Sequence, residues 1–211
     1  MSAYGRSRWW LGSLVLLVCA FPGLARAQGS HFLIEPQSGV VWSEGAGGNT
    51  AWGADAGALL AIGGKLRGFP PRFYAFVKGT HTVAALEDRS RSASLGEIAL
   101  AHSYVKTVGG ARVVIPLFSC LRLNLEMGFG ELFSTQTYRE TGLRAVSYSV
   151  DRDVMEMGLG LSLRIHPLWS FGVMAEHLVS LDGAPFGGQA SGMPGQRLAL
   201  SSMRGTVGFH F

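Results

Sequence analysis

From Leu121 to Gly130 the chain alternates without a break. Leu121, Leu123, Leu125, Met127 and Phe129 fall on one side; Arg122, Asn124, Glu126, Gly128 and Gly130 fall on the other. A period of two places each set on one face of a β-strand. Val154 to Arg164 repeats it, with Met155, Met157, Leu159, Leu161 and Leu163 opposite Glu156, Gly158, Gly160, Ser162 and Arg164. The last residues run the same way, Met203, Gly205, Val207, Phe209 and Phe211 against Ser202, Arg204, Thr206, Gly208 and His210. Noisier alternation predicts strands at 32–43, 51–62, 72–82, 102–115 and 170–180. With 121–130, 154–164 and 199–211 these make eight, each close to the roughly 9–11 residues of a tilted membrane-spanning strand.

The connections are of two kinds. Residues 64–71, 116–119 and 166–169 are short and each carries proline and an aromatic residue. Residues 44–50, 83–101, 138–153 and 182–197 are longer and more polar. If successive strands are antiparallel neighbours, the short turns gather at one end and the long loops at the other. An even strand number then brings both termini to the short-turn end.

Alternation alone does not say which face is outside, because a soluble barrel with an apolar interior has the same period. Three features point to an apolar exterior. The polar face is studded with glycine (Gly128, Gly130, Gly158, Gly160, Gly208), which suits a crowded interior. Aromatic residues collect near strand ends, with Trp42 and Trp52 by the first long loop and Phe69, Phe73, Phe118, Trp169, Phe171, Phe209 and Phe211 by the short turns. The polar face also carries charge in balance: Glu35, Asp55, Lys78, Arg112, Arg122, Glu126, Glu156, Arg164, Glu176 and Arg204, five acids and five bases.

An eight-stranded barrel is just wide enough for its own side chains, and buried charges persist only when paired. A lumen charge network of these ten residues is therefore expected. Arg122 and Arg164 fall side by side near the short-turn end, so acids from other strands, Glu35 and Glu176 being the candidates, are expected to bridge them. Removing one acid, as in Glu126→Ala, should strand a buried charge at about 3–5 kcal/mol.

The first 27 residues read as a secretory leader. Arg6 and Arg8 precede an apolar run from Leu11 to Phe21, and Ala25, Arg26 and Ala27 form an A-x-A cleavage site. The run is too short for a transmembrane helix, which needs about 20 residues. Cys19 would suit lipid attachment, but Val18 stands where a small residue is required. Residues 1–27 are thus expected to be cleaved and 28–211 to form one β-barrel domain. The leader holds three of the 18 basic residues, leaving 15 against 14 acids. That near-neutral balance gives no support to a nucleic-acid partner. Cys120 alone remains after cleavage, so no intrachain disulfide is expected.

Leader, alternation, loop asymmetry and a terminal Phe together resemble the small Gram-negative outer-membrane barrels of the OmpA/OmpX type, over Phe32 to Phe211. The resemblance implies an all-β, eight-stranded antiparallel up-and-down transmembrane β-barrel in the cell outer membrane. It implies outer-membrane lipid and lipopolysaccharide around the barrel, and periplasmic chaperones and the barrel assembly machinery as partners. Val207, Phe209 and Phe211 would be the C-terminal assembly signal. The role it implies is structural or surface-interacting and non-enzymatic, with small-solute transport or a narrow channel as the alternative and a lipid A-modifying enzyme behind both.

Catalytic and cofactor motifs are sparse. His102 and Ser103 are adjacent, and His177 and Ser180 three apart, so neither pair shares a strand face as a His–Ser nucleophile requires. Asp151 and Asp153, near Glu140 and Arg144, read as solvated loop charges. No Walker loop, zinc spacing or dinucleotide fingerprint occurs, so no cofactor or metal is expected. The cleavage site carries the first prediction: intact-mass analysis of membrane-extracted protein should find Gln28 at the N-terminus. A retained leader, or a lipid adduct on Cys19, would refute it.

Overall fold

The computed structural model describes residues 28–44, 50–66, 68–92, 96–140, 145–181 and 199–211. Eight strands follow in chain order: β1 (Gln28–Glu44), β2 (Thr50–Lys65), β3 (Arg72–Ser92), β4 (Gly96–Pro116), β5 (Leu121–Glu140), β6 (Val146–His166), β7 (Trp169–Ser180) and β8 (Ala199–His210). Each pairs antiparallel with the next, and β8 pairs back onto β1, closing the barrel. The seam runs from Leu33 opposite His210 to Ser43 opposite Leu200. Reciprocal backbone bonds finish it: Phe32 N–H to Phe211 C=O at 3.0 Å and Phe211 N–H to Phe32 C=O at 2.9 Å. Closure leaves no edge strand, the condition for β-structure in hydrocarbon.

The alternation settles which face is which. Leu159 and Met127 are 54% and 53% exposed, whereas Lys78 and Arg112 are 0% and 2% exposed. A soluble barrel would have the reverse, so the apolar set is an outer, lipid-facing band. Aromatic pairs rim that band, Trp42 with Trp52 (5.4 Å between rings) at the long-loop end. Trp169 with Phe171 (5.7 Å) and Phe32 with Phe211 (6.5 Å) lie at the short-turn end. These are interfacial girdle positions. Inside, Gly160 shows how full the lumen is, since a methyl group there would overlap Met174 Sδ.

Two predicted long loops are mostly strand. β3 and β4 continue into 83–101, pairing Leu86 with His102 and onward to Ser92 with Gly96. β5 and β6 likewise continue into 138–153, up to Tyr138 opposite Val146. Beyond the apolar band a hairpin needs its backbone ladder but no apolar face. The periodic signal therefore fades there while pairing persists. The leader, residues 45–49 of the first long loop and the loop at 182–197 lie outside the described residues.

Deleting Phe211 should remove both terminal backbone bonds of the seam and one member of the lower aromatic rim. The outer-membrane level of the truncated protein, read against its periplasmic level, should fall severalfold while export is retained. Unchanged membrane levels would refute this.

Candidate functional site in the charged interior

Lys78, inward on β3, is the hub of the interior. Its ammonium donates hydrogen bonds to Glu126 Oε2 on β5 and Glu176 Oε1 on β7, each at 2.7 Å. Glu156 Oε1 on β6 is an ion-pair partner, also at 2.7 Å. The three glutamates converge as ligands of a metal ion would, but the cation between them is a tethered lysine. Gly158 makes the convergence possible. It lies directly opposite Glu126 on one side and Glu176 on the other. A Cβ there would sit 3.3 Å from Glu126 Cβ and 3.5 Å from Glu176 Cγ, between two side chains that must lean together.

From this hub the network spreads through every strand. Toward the short turns, Arg112 on β4 forks onto Glu35 of β1, at 2.9 and 2.7 Å, and reaches Glu126 through Nε at 2.6 Å. Gln37 donates to Glu35 at 2.9 Å. Toward the long loops, Arg204 on β8 pairs with Asp55 of β2 (Nε to Oδ1, 2.9 Å) and with Glu176. Gly39 on β1 separates them, opposite Asp55 on one side and Arg204 on the other. Tyr104 donates its hydroxyl to Asp55 at 2.6 Å, and Lys106 pairs with Glu156. Two voids between these side chains are each about 10 Å³, room for a single water molecule.

Of the ten residues singled out by alternation, the structure brings together Glu35, Asp55, Lys78, Arg112, Glu126, Glu156, Glu176 and Arg204, all at most 5% exposed. Arg122 and Arg164 stand apart, which corrects the expectation that acids bridge them. Glu35 is taken by Arg112, and Glu176 by Lys78, Lys106 and Arg204. Arg164 instead donates to the carbonyls of His166 and Pro167, and Arg122 meets no carboxylate among the described residues. Both are only half buried at the open short-turn end. Sequence reading also missed Lys106 and Tyr104, although counting back in twos from Arg112 reaches both. It missed buried Arg152 because 138–153 was expected to be loop.

One His–Ser pair does form, between strands rather than along one. His177 Nδ1 and Ser201 Oγ are 3.0 Å apart on the outer face. Among the described residues no carboxylate hydrogen-bonds to His177. Ser201 is laddered against both Trp42 and His177, so neighbouring strands take up the backbone donors an oxyanion would need.

The fold recurs in known proteins. The chain is similar to Neisserial surface protein A, at 8% identity over 87% of this chain and 100% of that one, with a TM-score of 0.52. It is similar to the major outer membrane protein of Thermus thermophilus, at 14% identity over 87% and 100% of the two chains, with a TM-score of 0.51. The N-terminal β-barrel domain of Pseudomonas aeruginosa OprF matches at 10% identity over 85% and 97%, with a TM-score of 0.50. At such identities the likeness is one of fold, and no family model or curated protein matches the sequence. Fold and apolar exterior together define the class: a small eight-stranded β-barrel of the outer-membrane type.

Among the described residues, the ion pairs that connect to Lys78 join five acids (Glu35, Asp55, Glu126, Glu156, Glu176) and four bases (Lys78, Lys106, Arg112, Arg204). Removing Lys78 widens that imbalance, whereas neutralising Glu126 removes it. Lys78→Met, which keeps most of the side-chain volume, should therefore destabilise the barrel by about 3–5 kcal/mol. Glu126→Gln should cost less than Lys78→Met. Reversible urea unfolding from lipid vesicles, followed by the mobility of unboiled samples on denaturing gels, measures both. The opposite order would refute the hub assignment.

Proposed function

We propose that this chain is an integral outer-membrane barrel with a structural or surface-interaction role, non-enzymatic, its lumen plugged by the charge network. The observation that carries the reading is Lys78, whose ammonium ties β3 to β5, β6 and β7 across the interior. A solute path along the axis would have to part those contacts, each part of a desolvated cluster in which stranding one charge is costly. The β3–β4 and β5–β6 hairpins, which continue beyond the apolar band, supply surface for contacts outside the cell. Residues 1–27 act as the export leader in this reading, and Val207, Phe209 and Phe211 as the signal to the assembly machinery. The non-enzymatic part is supported by the isolation of His177 and Ser201 from any orienting carboxylate among the described residues.

Two measurements test it. In a planar bilayer the wild-type barrel should show no steady conductance, and a large, stable open-channel current would favour transport instead. A fluorophosphonate that labels activated serines should leave Ser201 unmodified. Labelling abolished by His177→Ala would establish an enzyme.

A further inference from the structure

At the short-turn end the side-chain charge is of one sign. None of the 14 acids falls in 28–34, 64–74, 115–125, 163–172 or 205–211, which together make up the short turns, the start of β1, the end of β8 and the adjoining strand ends. The same stretches hold Lys65, Arg67, Arg72, Arg122 and Arg164. Arg72, Arg122 and Arg164 begin β3, begin β5 and close β6, each on the inward parity of its strand. All three are half buried, and each lies within electrostatic reach of the others. Neither Arg72 nor Arg122 meets a carboxylate among the described residues. The nearest acid inward, Glu35, is already held in a fork by Arg112.

Half-buried like charges repel one another and call for a counter-charge. The surroundings add donors and a vacancy in the hydrogen bonding. Arg122, Asn124, Ser170 and His210 line one void, as do Arg112 and the Glu35 carboxylate that it neutralises. His210 is buried and bonds Ser170 Oγ through Nε2 at 2.9 Å, while its Nδ1 has no partner. The void, about 10 Å³, admits a water molecule but not a polyatomic anion. An anion would therefore sit across the open mouth, against the guanidinium groups, with water relaying to His210. The Phe32, Phe211, Trp169 and Phe171 rings circle the outside at this end, so the mouth opens where headgroups lie.

We infer that the short-turn mouth is a binding site for a phosphate group, free or carried on a lipid headgroup, held by Arg72, Arg122 and Arg164. Guanidinium groups suit it, since Arg72 and Arg122 offer paired donors to two phosphate oxygens, while Arg164, whose Nε and Nη2 donate to the His166 and Pro167 carbonyls, adds positive charge beside them. The site is separate from the central network and does not depend on whether the lumen conducts.

The test uses the full barrel in an uncharged detergent, titrated with inorganic phosphate at fixed pH and matched against chloride of equal ionic strength. The ring resonances of His210 are followed by NMR and the heat by calorimetry. Phosphate should give saturable binding that shifts His210, with chloride giving none. Arg122→Gln and, separately, Arg72→Gln should weaken binding about tenfold or more, each variant first shown to keep the heat-dependent gel mobility of a closed barrel. A second arm places the barrel in phosphatidylcholine nanodiscs with or without phosphatidylglycerol, free of inorganic phosphate. A His210 shift confined to the phosphatidylglycerol discs names the headgroup as source, and a shift with inorganic phosphate alone names the free ion. No saturable response in either arm, a response equalled by chloride, or one unchanged in both arginine variants would overturn the assignment.

Discussion

The β1–β8 seam is the constraint on which everything else in this molecule depends. In hydrocarbon no water satisfies a free N–H or C=O, so a sheet survives only as a closed cylinder. Eight strands close into a cylinder whose interior just accommodates side chains. Its exterior has to be apolar, which sends the polar half of every alternating strand inward. Burial of charge in the lumen is thus a consequence of closure, and it sets the next demand, that each buried charge find a partner. Lys78 with its three glutamates, and Arg204 with Asp55 and Glu176, answer that demand.

Glycine is how pairing is reached across a strand. Charged residues directly opposite on neighbouring strands, such as Arg112 and Glu126, meet without help. Two meetings across an intervening strand pass over a residue with no side chain. Gly158 lies between Glu126 and Glu176, and Gly39 lies between Asp55 and Arg204. Gly160 makes room in the same way for Met174. Gly158 and Gly39 are therefore places where side chains of alternate strands approach each other over the strand between them.

The fold was legible in the sequence because a period of two, a terminal aromatic and two kinds of connection all follow from closure in a bilayer. Most of the cluster was legible for the same reason, since the parity that buries Glu126 and Arg204 can be counted by eye. What was not legible depends on lateral register. Nothing in the spacing of Arg122 and Arg164 says that Glu35 is already claimed by Arg112, on the strand next to that of Arg122. His177 and Ser201, 24 residues apart, become neighbours only through the β7–β8 ladder. The upper hairpins were hidden for another reason: outside the apolar band, pairing leaves no apolar trace.

The network also explains why one register is chosen. Buried ion pairs contribute little net stability, because desolvation roughly offsets attraction, so the cluster is a poor explanation for how firmly the barrel holds. Its influence is on the alternatives. A slip of one residue between strands exchanges the two faces. Slipping β3 that way would turn Lys78 into the hydrocarbon and take one cation from three glutamates at once. A lysine at the bilayer midplane costs about 2–4 kcal/mol by itself, before the weakened pairing of the acids is considered. The same slip in β4 would expel Lys106 and Arg112, and in β8 Arg204. Because every strand carries at least one member of the cluster, no strand can slip alone without breaking it. Charge in the lumen works mainly against wrong pairings, while backbone closure and the apolar band favour the right one.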